Sequence, residues 1–159
     1  MDSKSDEFDP SQDRNHKQKV VKLCGCDEYE VEIDCVIADL VVLINSYFDY
    51  PVTYMSCQHN VNGYASIVFG IDQFKKLTDL VSEKINEKYS EEEIELESRV
   101  LVPLLNRFII GDFTDKRKNK FEITCDWFSG NEKISLNAHW QFVQSEIPKI
   151  IQEIRDILD

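Results

Sequence analysis

The residues best suited to chemistry lie close together in Cys57-Gln58-His59-Asn60, at the end of a predicted strand. A thiol near an imidazole can act as a nucleophile if the two groups are within hydrogen-bond reach and the thiol pKa is lowered. Residues two apart on a strand share a face but lie about 7 Å apart, so contact requires the loop to curl back. Nearby carboxylates would raise the thiol pKa. Catalysis by Cys57 and His59, with His139 as a further candidate, is therefore disfavoured but left open.

A zinc site is the second interpretation of this loop. Two pairs of zinc-ligand residues each fall in a predicted hairpin loop: Cys24 with Cys26, and Cys57 with His59. The single residue between the members of each pair is a tighter spacing than the roughly two to four residues of structural zinc sites. The simpler interpretation is that the cysteines are small buried apolar residues, as cysteine usually is. We therefore expect no metal and no cofactor.

A polar patch is predicted on a hairpin near the end of the chain. Its members alternate with apolar residues along two strands, so they share one face: Thr124, Asp126, Ser135, Asn137, His139 and Gln141. Such a face suits recognition by hydrogen bonds. A water-exposed sheet surface explains the same pattern more simply, and His139 is then an inert exposed histidine.

Negative charge is concentrated in the first half of the chain. No lysine or arginine occurs from Leu23 to Phe74, and the run 28–35 alternates acidic with apolar residues. This alternation predicts a strand with one wet, acidic face. Four carboxylates would stand in a row there and repel one another, so a partner's cations would relieve the repulsion. The predicted binding residues are Glu28, Glu30, Glu32 and Asp34.

The net charge of −12 also restricts the partners. Nucleic-acid backbones and anionic membranes would be repelled, so neither is expected as a partner. A basic protein surface, a cation or no specific partner remains, and the charge can also serve solubility alone. The one basic cluster, Lys116-Arg117-Lys118-Asn119-Lys120, follows Asp112 and Asp115 and is interpreted as a solvated loop. Phosphate-loop, dinucleotide, HExxH, GxSxG and EF-hand motifs are absent from the sequence.

One short stretch resembles a known family. Leu43-Ile44-Asn45, Thr53 and Ser56-Cys57 resemble the helix–loop–strand opening of the wybutosine-synthesising tRNA methyltransferases, in which a Leu-Asn helix end precedes a Thr-Ser-Ser-Cys-Ser-Gly-Arg strand. Here Gln58-His59-Asn60 replaces the Ser-Gly-Arg continuation. The resemblance covers about fifteen residues and lacks the arginine, and an acidic surface repels tRNA. The methyltransferase activity is therefore not inferred.

Composition indicates an ordinary folded domain. The chain has 159 residues, 42% of them hydrophobic, with nine Phe, six Tyr and two Trp, which is enough for a core. It has five cysteines, an odd number, and its first nineteen residues contain no apolar signal-peptide core. Free thiols in a reducing cytoplasm are therefore expected.

The order of predicted elements is hairpin then helix, three times. Residues 1–19 are predicted to be a disordered polar tail, because they hold too few apolar side chains to offset ordering. The single domain 20–159 then contains strands at 20–24, 29–34, 52–57, 64–69, 121–127 and 134–142, with helices at 35–48, 72–89 and from 146. This order predicts an α+β fold, an antiparallel sheet of three ββα units with the helices mainly on one face.

Residues 90–120 lie between the second and third hairpin–helix units and do not follow their pattern. Ser90-Glu91-Glu92-Glu93 is a capping box, which predicts the start of another helix. Pro103 would end or kink that helix, and 108–113 would form a short strand.

Two functions from different classes follow. The first is a small acidic intracellular binding or regulatory protein, such as an inhibitor or immunity factor, that acts without catalysis through its negatively charged strand. The alternative is a metal- or thiol-dependent small-molecule-binding protein or enzyme that uses the Cys57–Asn60 loop. A homodimer through the almost wholly apolar helix 36–48 is also open.

Overall fold

Two antiparallel sheets and three helices of eleven or more residues make up the described part of the computed structural model, which covers residues 17–58, 63–94, 102–108, 119–128 and 133–159. The α+β class with antiparallel pairing is as predicted. The predictions that concern residues 1–16, 59–62, 95–101, 109–118 and 129–132 lie outside the described residues. No helix within the described ranges is long and apolar enough to cross a membrane.

The first sheet is a hairpin of β1 (Gln18–Lys22) and β2 (Glu30–Asp34). The second has four strands in the order β3-β4-β6-β5: β3 (Thr53–Gln58), β4 (Tyr64–Gly70), β5 (Lys120–Phe128) and β6 (Lys133–Val143). The helices are α1 (Cys35–Asn45), α2 (Ile71–Lys88) and α3 (Ile147–Leu158). Short 3-10 turns occur at Leu23–Gly25, Asp27–Tyr29, Pro103–Phe108 and Gln144–Glu146.

Hairpin and helix recur in the predicted order, but the predicted single sheet is wrong. The β1–β2 hairpin forms its own sheet, separate from the other four strands. Its connection spans residues 23–29, longer than the loop predicted between strands 20–24 and 29–34, and contains two 3-10 turns. The arrangement as three ββα units and the placement of the helices mainly on one face stay predictions.

The apolar core lies against one face of the four-stranded sheet. Ile67 and Phe121 both stand opposite Trp140 in the strand pairing, and all three side chains are fully buried. The ring of Phe74, on α2, lies 4.7 Å from that of Phe121, centroid to centroid. Helix α2 therefore packs on this face, and aromatic contacts of this kind add to the burial of apolar area.

A buried polar network joins the 3-10 turn 103–108 to α3. Arg107 is fully buried, and its Nε and Nη2 donate to Glu153 Oε2 at 2.9 and 2.6 Å. Trp140 Nε1 donates to Asn119 Oδ1 at 2.6 Å, and Asn119 Nδ2 donates to the Arg107 carbonyl. Asn119, interpreted above as part of a solvated loop, is only 2% exposed because these two bonds hold it in the core.

The observed ends of helices and strands can be compared with the boundaries that the sequence predicted. The capping box is confirmed: the Ser90 amide donates to Glu93 Oε2 at 3.1 Å and the Glu93 amide donates to Ser90 Oγ at 3.3 Å. Helix α1 ends at Asn45, not at 48, and Ser46 Oγ donates to the Leu43 carbonyl there. Strand β1 includes residues 18 and 19, which the predicted tail had included.

Candidate functional site

The predicted thiol–imidazole site falls mostly outside the described residues. Cys57 belongs to β3 and pairs with Ser66 of β4 in the backbone register. The Cys57 side chain, His59 and Asn60 lie outside the described part of the chain. The catalytic and metal-binding interpretations of this loop therefore stay predictions.

The other predicted zinc pair lies in the β1–β2 connection. Cys24 and Cys26 are free thiols, and Cys24 has a left-handed backbone with φ 57°, which is uncommon for a residue other than glycine. Burial, the Asp49 carboxylate and Cys26 raise the pKa of the Cys24 thiol. A raised pKa favours the thiol over the thiolate that binds metals or attacks substrates. No three or more His, Cys, Asp or Glu residues are grouped as a metal site among the described residues.

This shift makes a testable prediction about thiol reactivity. Cys24 should react with iodoacetamide more slowly at neutral pH than the exposed Cys125, because less of it is thiolate. Its rate should rise steeply as pH approaches its raised pKa. Mass spectrometry of the alkylated peptides over a range of pH would measure both rates. A faster reaction of Cys24 than of Cys125 at neutral pH would contradict this prediction.

His139 and the predicted polar patch lie on β6 and β5. His139 is half-buried and stands between Val68 and Glu122 in the strand pairing. Asn137 is only 1% exposed, and its Nδ2 donates to the Ser135 carbonyl at 3.1 Å. The prediction of a fully wet face is therefore wrong at Asn137. The Asp126 side chain lies outside the described part.

The four predicted binding carboxylates occupy three different settings. Glu30 and Glu32 are exposed on β2, and Glu28 is exposed in the 3-10 turn before it. Asp34 is only 5% exposed and accepts a hydrogen bond from Gln18 Nε2 at 3.0 Å. The predicted row of four wet carboxylates is thus wrong at Asp34, because the strand passes directly into α1 there and β1 covers the side chain.

The three exposed carboxylates differ from the neighbouring acidic residues Asp27 and Asp39 because no described lysine forms an ion pair with them. Lys22 Nζ lies 2.6 Å from Asp27 Oδ1, and Lys19 Nζ lies 3.3 Å from Asp39 Oδ1. No ion pair or side-chain hydrogen bond joins Glu28, Glu30 or Glu32 to another described residue. We call these three the acidic triplet. Lys22 stands opposite Glu30 in the strand pairing, but its Nζ contacts Asp27.

A groove of about 460 Å³ lies beside the acidic triplet, between β2 and β3. Its walls include two of the three carboxylates, two aromatic rings and apolar side chains: Glu28, Glu32, Tyr29, Tyr54, Val31 and Ile33. None of the described residues that line it is lysine or arginine. The groove therefore combines negative charge with aromatic surface, a combination that suits a cation.

Asn45 positions one wall of this groove. It is fully buried at the end of α1, and its Oδ1 accepts from the Val52 amide at 2.7 Å. Its Nδ2 donates to the Val41 carbonyl and to Thr53 Oγ1, both at 2.9 Å. These bonds hold the start of β3 against α1. Sequence reasoning missed Asn45; the available signal was an amide on the otherwise apolar face of a helix.

The aromatic wall is also held in place. The ring of Tyr29 meets that of Tyr50 edge-on, with centroids 6.3 Å apart and planes at 64°. Burial, and after it the Glu28 carboxylate, raises the pKa of Tyr29. The phenol therefore stays neutral at physiological pH, and its ring is available as an aromatic surface near a carboxylate.

Comparison of the chain with protein-family models, with curated proteins and with solved structures gave no match. The function is therefore argued from the acidic triplet and the groove beside it.

Proposed function

We propose that this chain is a small acidic binding or regulatory protein, of the inhibitor or immunity-factor kind, that acts without catalysis. Its partner is a basic protein surface, and the binding surface is the acidic triplet with the adjoining groove. The observation that carries the proposal is the absence of described ion pairs at Glu28, Glu30 and Glu32, whereas Asp27 and Asp39 have lysine partners.

Electrostatics supports a charge-driven encounter. Like charges on one strand face repel each other, and a partner's cations relieve that repulsion. A net charge of −12 attracts a basic protein over a distance that depends on salt. Association should therefore be fast at low ionic strength and slow down as salt is added.

The test is a triple variant, Glu28→Gln, Glu30→Gln and Glu32→Gln. Its control is Glu83→Gln, Glu91→Gln and Glu92→Gln, which removes the same charge from exposed positions elsewhere. The triplet variant, the control variant and the wild type are each immobilised. Basic proteins are then captured from one extract at roughly 10 mM and at roughly 150 mM salt. Between these two salt concentrations the Debye length falls from about 30 to about 8 Å.

We expect the wild type and the control to retain the same basic protein at low salt. The triplet variant should retain at most about a tenth as much, because roughly 0.5 kcal/mol is lost at each of three carboxylates. Retention by the wild type should fall at the higher salt. Equal loss in the control would show that only net charge matters, and the absence of any captured basic protein would also contradict the proposal.

A further inference from the structure

The groove between β2 and β3 offers more than negative charge. Glu28 and Glu32 line it together with the rings of Tyr29 and Tyr54. Tyr54 is 45% exposed, so its ring is accessible from solvent. Carboxylates beside aromatic faces attract a cation in two ways, through the opposite charge and through the negative face of the ring.

We propose that this groove receives an arginine side chain carried by an extended segment of the basic partner. This inference rests on the proposed function and names the residue that the partner presents. A guanidinium is flat, weakly hydrated and stacks on aromatic rings, and its fork of N–H groups matches a carboxylate. The lysine ammonium is a strongly hydrated point charge, so it gains less from aromatic walls.

Size and position favour a peptide segment over a free amino acid. A volume of about 460 Å³ falls within the roughly 300–1,000 Å³ of typical ligand sites and leaves room for the arginine and its neighbours. Strand β3 is at the end of the four-stranded sheet and lines the groove through Thr53, Tyr54 and Ser56, so we expect an extended segment to lie beside this strand. Val31 and Ile33 line the groove and offer apolar contacts to flanking residues.

The groove is also held in shape before a partner arrives. Asn45 fixes the start of β3 through Val52 and Thr53, and the Tyr29 ring contacts the ring of Tyr50 edge-on. A preorganised site loses less conformational entropy on binding.

The experiment uses three fluorescent peptides that have arginine, lysine or citrulline at the same positions. A short peptide of alternating valine and arginine is compared with its lysine form and with its citrulline form, which keeps the shape of arginine without the charge. Fluorescence anisotropy at low salt measures each Kd for the full-length protein. The expected order of affinity is arginine, then lysine about fivefold weaker, then citrulline without measurable binding.

Two substitutions at Tyr54 test whether its aromatic ring, and not only its apolar bulk, contributes to binding. Tyr54→Phe keeps the aromatic face and should keep the fivefold preference for arginine. Tyr54→Leu keeps apolar bulk but removes one of the two aromatic faces, so the preference for the arginine peptide over the lysine peptide should fall below about fivefold. Circular dichroism would check that both variants are folded.

The outcomes distinguish this inference from the proposed function. Equal binding of arginine and lysine peptides by the wild type, both weakened by Glu28→Gln with Glu32→Gln, would overturn the arginine site and leave the acidic surface standing. Citrulline binding as well as arginine, or no peptide binding at all, would also overturn the arginine site. The proposed function fails separately, if the triplet variant and its control capture basic protein equally.

Discussion

Replacing Glu153 with leucine should lower the free energy of unfolding by about 3–5 kcal/mol, because it removes the carboxylate that accepts two hydrogen bonds from the buried guanidinium of Arg107. Arg107 is fully buried and donates twice to Glu153. Its Nη1 has no hydrogen-bond partner among the described residues, and its Nη2 lies 3.8 Å from Oε1 of the partly exposed Glu146. For a domain of this size the loss corresponds to a decrease in Tm of roughly 6–20 °C.

A double-mutant cycle tests the pair itself. Arg107→Met should also be strongly destabilising, since it leaves a buried carboxylate, but Arg107→Met with Glu153→Leu should be far less destabilised than the sum of the two. Denaturant unfolding measures all four proteins. The surface control is Asp79→Asn, whose exposed pair with Lys75 spans 2.7 Å and is worth about 0.5 kcal/mol at most. Additive effects in the cycle would show that the pair contributes nothing as a unit.

Replacing Asn45 with alanine should cost about 2–4 kcal/mol and weaken binding in the groove. The substitution leaves the buried Val52 amide without its acceptor and removes the bond to Thr53, and an unsatisfied buried donor costs roughly 1–3 kcal/mol. The start of β3 then loses its attachment to α1, so the groove wall should move.

The control for Asn45 is Asn86→Ala, which removes an exposed asparagine from α2. It should change the stability by less than about 0.5 kcal/mol. Thermal unfolding gives the stabilities, and the anisotropy assay with the arginine peptide gives the binding. If Asn45→Ala binds the peptide as tightly as the wild type, the wall does not depend on Asn45, and the role of its hydrogen bonds is confined to stability.

The two experiments address different parts of the molecule. The Arg107–Glu153 pair joins the turn 103–108 to α3, away from the acidic triplet in the chain, and its loss should lower stability without changing the preference for arginine. Asn45 adjoins the groove and should affect both. The comparison therefore separates a fold that is merely weakened from a binding site that is altered.

Local signals in the sequence predicted most of the elements. Period-two alternation identified strands such as β2 and β6, apolar spacing identified the three long helices, and the Ser90–Glu93 box identified a helix start. These signals succeed because strand faces, helix faces and caps depend on residues within about four positions of each other. The same alternation predicted the exposure of Glu30 and Glu32, but Val31 between them is exposed too, so β2 does not have the one buried face that was predicted.

Contacts between distant residues decided the rest. Asp34 is buried beside Gln18, the ion pair of Arg107 joins residues 46 positions apart, and the groove is lined by strands of two different sheets. Local periodicity carries no information about such pairings. The sequence by itself determined the elements and the excess of negative charge. The tertiary structure decided which carboxylates stay exposed and that two tyrosine rings lie beside them. The reason is that only packing brings separate strands to one surface.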